Sequence, residues 1–201
     1  MTIENKREYL KDEIEHRGIW RAEPGSALIL GKAPNTRYSW QFYLRRCLFN
    51  PTFVFTAAEL LVEQLDSTDV QIGACEDAGV PLGLAMATIL GKPMISLKKT
   101  RKAYGLLNYT EGKLNGKPIL LVDDLAGSQD TLKTAAYILN SFNLPIADQY
   151  AVLINKTQAT HTNNYINNKK LISLFNCEDF ALRWEDYVKK YNINPNFGPY
   201  C

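Results

Sequence analysis

Compact apolar runs alternate with helix-period stretches through most of the chain after residue 50. Residues 70–75, 93–97, 118–122, 150–155 and 171–175 are short and mostly apolar, as strands buried on both faces are. Residues 80–90, 131–142 and 178–190 carry apolar positions at helical spacing. This alternation predicts an α/β fold with a mostly parallel central sheet and right-handed crossovers. Ahead of it, residues 3–17 place Ile3, Tyr9, Leu10 and Ile14 among charges, an amphipathic helix. Residues 27–31 and 38–46 read as strands on either side of a turn-rich Lys-Ala-Pro-Asn-Thr, and Asn50-Pro51 opens a helix that runs to about residue 65. There is no internal repeat and no linker long enough to separate two domains. The expectation is one domain over 1–201: an N-terminal helix and small strands to residue 50, an α/β core over 51–190, and an irregular tail over 191–201.

Composition narrows this little. A chain of 201 residues with 46% hydrophobic content can build one core, and a formal charge of +2 gives no global field for nucleic acid or an acidic membrane. Cys47, Cys75, Cys177 and Cys201 show no C-x-x-C spacing, so reduced thiols are expected rather than zinc or disulfides. Residues 1–17 are charged throughout, unlike a secretory leader, and no apolar stretch approaches the roughly 18 residues that span a bilayer. A cytoplasmic protein that binds neither membrane nor nucleic acid is expected.

The candidate chemistry sits at strand ends. Ile119 to Val122 end in Asp123 and Asp124, then the small polar loop 125–130, then a helix. In open α/β sheets ligands bind beyond the carboxyl ends of strands, where helix N-termini offer N–H groups to anions. Asp130-Thr131 is also ordinary helix-capping chemistry. Residues 73–81 (Gly-Ala-Cys-Glu-Asp-Ala-Gly-Val-Pro) make a second strand-to-helix turn. Its N–H groups suit another anion if a cation offsets Glu76 and Asp77. Lys98-Lys99-Thr100-Arg101-Lys102 opens a long polar stretch to residue 116, either a solvated surface run or a cationic lid. The aromatics of 38–46 suit a core, an interface or the flat wall a heterocycle needs.

Together these segments resemble the type I phosphoribosyltransferases, and among them the orotate enzymes, over most of residues 18–180. The 119–131 segment is similar to that family's signature for phosphoribosyl pyrophosphate (PRPP). The Phe42-Tyr43-Leu44-Arg45-Arg46 segment with Leu48, Asn50 and Pro51 resembles the base-side hood, and 73–81 stands at the pyrophosphate loop. The resemblance implies a type I phosphoribosyltransferase-like α/β fold: a mostly parallel sheet flanked by helices, with a small N-terminal hood.

By the same resemblance, Asp123 and Asp124 would hold the ribose hydroxyls. Leu125, Ala126, Gly127, Ser128, Gln129, Asp130 and Thr131 would form the 5′-phosphate loop. Glu76, Asp77, Ala78 and Gly79 would face the pyrophosphate. Lys98, Lys99, Lys102 and Tyr104 would reach the diphosphate, with Lys102 at the leaving group and, with Asp123 and Asp124, catalytic. Trp40, Phe42 and Lys156 would meet the base. Mg²⁺ would be carried mainly by PRPP, with Asp123 and Asp124 as its only side-chain candidates. A homodimer is implied, because the family's basic loop often serves the partner's site.

The chain departs from the pattern in three places. Gly127-Ser128-Gln129-Asp130 replaces the family's Thr–Gly pair, and an inward-pointing Asp130 would repel a phosphate. Tyr104 stands at a histidine position, and Lys156-Thr157-Gln158 stands where the orotate enzymes place an arginine. The implied reaction is phosphoribosyl transfer from PRPP to a base, with orotate first. The alternatives are a purine or other base, or a PRPP- or nucleotide-binding regulator without turnover.

Overall fold

The computed structural model describes residues 1–31, 35–98, 100, 109–157 and 165–193. The chain opens with helix α1 (Ile3–Glu13), capped by the Thr2 hydroxyl, which accepts from the Asn5 amide at 3.3 Å. A wider π-type turn over Ile14–Gly18 ends the helix short of the expected residue 17 and leads into strand β1 (Ile19–Arg21). Strands β2 (Ile29–Leu30) and β3 (Arg37–Tyr38) pair with each other, and β4 (Trp40–Phe42) pairs antiparallel with β1. The single strand expected over 38–46 is therefore broken at Ser39 and ends at Phe42. Helix α2 (Arg45–Leu48) takes its last residues. The Tyr43 amide bonds Gly18 O at 2.7 Å, and the Leu44 carbonyl then accepts from Leu48, which starts the helical turn. Helix α3 (Pro51–Val62) starts where its sequence predicts, with Asn50 Oδ1 accepting from the Thr52 amide at 3.0 Å.

Strand β5 (Gln71–Cys75), helix α4 (Gly79–Leu90) and strand β6 (Met94–Leu97) follow. A short β7 (Thr110–Glu111) pairs antiparallel with β6 inside the stretch read as structureless. Strand β8 (Ile119–Ala126) is longer than its apolar run and includes both aspartates, because β9 (Ile146–Asn155) keeps pairing as far as Ala126↔Asn155. Helix α5 (Asp130–Ser141) connects them. Strands β10 (Tyr165–Ile166) and β11 (Lys169–Asn176) finish the sheet. The helix expected over 178–190 is shorter: Cys177–Asp179 is a single 3-10 turn, and α6 (Trp184–Tyr191) begins later.

Among the described residues, the central sheet has seven strands in the order β10-β11-β9-β8-β5-β6-β7, with the β6–β5–β8–β9–β11 core parallel. Strand alternation divides the core in two. Ile72, Leu120, Val122 and Leu153 face the layer built from Leu10, Phe53, Leu61 and Leu82 of α1, α3 and α4. Ile119, Leu121, Tyr150 and Val152 face Leu132, Ala135 and Leu139 of α5. Among the described residues, no helix is long and apolar enough to cross a membrane.

The two ends of the described chain meet on a buried ion pair. Glu15 is fully buried and its Oε1 accepts from Arg21 Nη2 at 3.0 Å and from the Ala181 amide at 3.1 Å. Arg21 also donates to Ala181 O at 2.7 Å and stacks 4.1 Å from the Tyr187 ring, while Lys190 Nζ lies 3.4 Å from Glu15 Oε2. Burying these charges is tolerable because nearly every polar atom is matched.

Candidate active site

From β5 the chain passes to β6 on one side, then returns to β8 on the other. The crevice between β5 and β8 is therefore a topological switch point, where open sheets bind ligands. Pairing of β5 with β8 stops at Ala74↔Val122, so Asp123 and Asp124 extend into the crevice held by β9 alone. A cleft of about 560 Å³ opens here, within the size range of small-molecule sites.

Asp123 is buried, and its Oδ1 accepts from the Asp124 amide at 2.9 Å. Burial pushes the Asp124 carboxyl above the usual carboxylate range, and hydrogen bonds to Asp123 and to backbone, with the charge of Arg45, act against it. The strand end is thus an acidic pair sheltered from water, ready to accept from hydroxyl groups.

Beside it lies the turn between β5 and α4. Gly79 packs against the β8 backbone so closely that no Cβ fits, which brings the start of α4 against Asp123. The Glu76–Asp77 peptide in this turn is cis. The sequence left open whether a cation offsets the two acids. Glu76 Oε1 accepts from Ser96 Oγ at 2.8 Å and lies 3.9 Å from Lys98 Nζ, while Asp77 Oδ2 lies 3.8 Å from Arg45 Nη2.

The third wall is the β8–α5 loop. The strand carries Leu125 and Ala126, with Ala126 buried, so only 127–129 form the loop proper. Gln129 takes a left-handed conformation (φ 64°), which turns the chain into α5 at Asp130. The first-turn N–H groups of a helix lack intrahelical acceptors, and here they border the cleft. Ser128 Oγ donates to Asp130 Oδ2 at 2.6 Å, and both side chains are exposed.

The fourth wall comes from the hood. Lys156 Nζ lies 4.6 Å from the Trp40 ring centroid and 5.8 Å from that of Tyr38, and its amide bonds Ala126 O at 2.7 Å. Phe42 touches the cleft, but its ring belongs to the core, packed edge-on against Trp40 and Phe180.

The cleft thus gathers Trp40, Phe42, Glu76, Asp77, Ala78, Asp123, Asp124, residues 125–131 and Lys156. Gly79 adjoins it through Asp123. Lys98 is not among the residues that line the cleft: it follows β6, and its ammonium pairs with Glu111 and lies 3.9 Å from Glu76. Lys99, Lys102 and Tyr104 lie outside the described residues. Sequence reading did not single out Arg45 and Tyr38 as site residues, yet both line the cleft. Arg45 was placed in a strand, and only the helical turn of α2 aims it across at Asp77. Among the described residues no group of three or more His, Cys, Asp or Glu could hold a metal.

No family model matches the chain. It is 25% identical over 143 residues to an orotate phosphoribosyltransferase of Methanocaldococcus jannaschii, spanning 71% of this chain and 81% of the relative. An orotate phosphoribosyltransferase of Caenorhabditis elegans is 30% identical over 121 residues, 58% of this chain and 53% of that protein. The fold is similar to the Mycobacterium tuberculosis orotate phosphoribosyltransferase solved in complex with PRPP (TM-score 0.64, 14% identity, 87% of this chain and 91% of that one). With this fold, this strand-end acid pair and these relatives, the chain is similar to the type I phosphoribosyltransferases, and among them to the orotate enzymes.

Proposed function

We propose that the protein transfers the 5-phosphoribosyl group of PRPP to orotate and releases pyrophosphate, a step of pyrimidine nucleotide synthesis. The observation that carries this reading is the convergence of an acid pair, a helix N-terminus and a cation-flanked turn on one side of the cleft, facing an aromatic–lysine wall on the other. The relatives' names supply the acceptor.

In this reading Asp123 and Asp124 accept from the ribose hydroxyls and fix the sugar at the switch point. The loop 127–131 holds the 5′-phosphate through backbone N–H groups. The C1–oxygen bond to the diphosphate breaks with its electron pair leaving on pyrophosphate, and a ring nitrogen of the base forms the new C1–N bond as its proton departs. Mg²⁺, carried by the substrate and reached by Asp123 or Asp124, would neutralise charge on the departing diphosphate. Arg45 and the turn at Glu76–Gly79 border that group, and Lys102 is read as its closest cation. Trp40 offers the flat wall for the base, and Lys156 a cation for its carboxylate. Catalysis then rests on positioning and on electrostatic stabilisation of the leaving group. We also read the protein as a cytoplasmic homodimer in which the basic segment after β6 serves the partner's cleft.

The test is to incubate the protein with PRPP, Mg²⁺ and a panel of bases while following pyrophosphate release. Release with orotate supports the reading. Release only with a purine moves the acceptor, and PRPP binding without release under any base removes the transferase assignment.

A further inference from the structure

The charge along the cleft is unusual for a site that takes phosphates. Its described lining carries Glu76, Asp77, Asp123, Asp124 and Asp130, against the cations Arg45 and Lys156. Four of the acids have assigned partners or tasks. Glu76 and Asp77 face Lys98 and Arg45, and the Asp123–Asp124 pair is read as the ribose seat. Asp130 differs. It is the first residue of α5, where the helix presents positive charge, and its carboxylate holds the hydroxyl of Ser128.

A carboxylate in that position takes up part of what a bound phosphate would use: it sits in the first turn, where the helix field favours an anion, and it holds a serine hydroxyl. Both anions cannot hold the Ser128 proton at once, and close together they repel. The left-handed turn at Gln129 fixes the spacing that brings Ser128 and Asp130 together, so the contact follows from the loop's shape.

We propose that Asp130 is a specificity-determining residue that competes with the 5′-phosphate for Ser128 and the α5 N-terminus. It sets the affinity of this subsite low and leaves the diphosphate subsite untouched. A phosphate entering the loop must displace the carboxylate from Ser128 and tolerate its charge nearby. The chain therefore relies on the diphosphate and ribose contacts to hold PRPP, and discriminates against ligands that offer only a terminal phosphomonoester. This rests on the loop's reading as the 5′-phosphate seat.

The experiment compares the full-length protein with Asp130→Asn and Asp130→Ser by calorimetric titration with ribose 5-phosphate and, separately, with inorganic pyrophosphate. Both variants are expected to bind ribose 5-phosphate roughly five- to thirtyfold more tightly at low salt, the gain shrinking as ionic strength rises. Pyrophosphate affinity should stay within about twofold. Equal or weaker ribose 5-phosphate binding in both variants overturns the proposal, as does an equal gain for pyrophosphate. Pyrophosphate release from PRPP and orotate, run alongside, separates the two readings. Turnover without the affinity gain sinks only the role of Asp130, whereas the gain without turnover sinks only the transferase.

Discussion

A Cβ on Gly79 would stand 2.9 Å from the Asp123 Cα and 2.7 Å from the neighbouring Val122 carbonyl oxygen. Helix α4 and strand β8 thus approach as closely as backbone permits, at the residue that begins the acid pair. Gly79→Ala must push the turn away from Asp123, since backbone atoms cannot rotate aside. The expected result is a loss of about 1–3 kcal/mol in stability, with weaker PRPP binding. Denaturant unfolding and a PRPP titration would read both, and a variant unchanged in each would show that the contact is not tight.

Asp124 links stability to pH. Burial raises its folded value, so between the unfolded and folded values the native state holds more protons than the unfolded chain. Its contribution is favourable at acid pH and is lost as pH rises through the folded value. Asp124→Asn should therefore raise stability at neutral pH by on the order of 1 kcal/mol, with the advantage fading as pH falls through the folded value and gone below about pH 4. PRPP affinity should fall in the same variant. Melting temperatures across pH, beside PRPP binding, would check the opposite signs.

Glu15 tests the clasp between the chain ends. Removing its charge leaves Arg21 buried without its anion, at a cost of about 3–5 kcal/mol. Glu15→Gln should lower the urea midpoint sharply. Glu15→Gln with Arg21→Met should recover part of the loss, and a double variant worse than the single one would contradict the pairing.

Trp40→Ala removes the ring beside Lys156 without touching the acid pair. The KM for the acceptor base is expected to rise about tenfold or more, as loss of one stacking aromatic implies, while the KM for PRPP changes little. Equal rises in both would mean that Trp40 shapes the whole cleft.

Lys102→Ala should lower turnover far more than PRPP affinity if its ammonium acts on the departing diphosphate. Pre-steady-state pyrophosphate release beside equilibrium binding distinguishes this from simple anchoring, for which both would fall together.

The parallel core was legible because doubly buried strands are nearly unbroken apolar runs, and 70–75 and 118–122 need no partner to be recognised. The acids at 123 and 124 were legible for the same reason, since charge stops such a run abruptly. That they still belong to the strand was not: β9 decides it, by pairing beyond the point where β5 turns away. The hood was the hardest part. Tyr38 to Arg46 alternates like one strand, yet the Tyr43–Gly18 bond and the turn at Leu44 depend on distant residues, and with them the position of Arg45. The buried pairing of Glu15 with Arg21 had no local signature, because charges in an amphipathic helix ordinarily face water.

That pairing gives the end of the described chain a task remote from the cleft. Arg21 closes β1, β1 carries β4, and β4 presents Trp40 to the cleft. On the other side Arg21 is gripped by Ala181 and Tyr187. A cut or a disordering partner at α6 would therefore be felt as a loosened Trp40 wall of the cleft, while the acid pair and the β8–α5 loop, carried by the central sheet, would keep their shape.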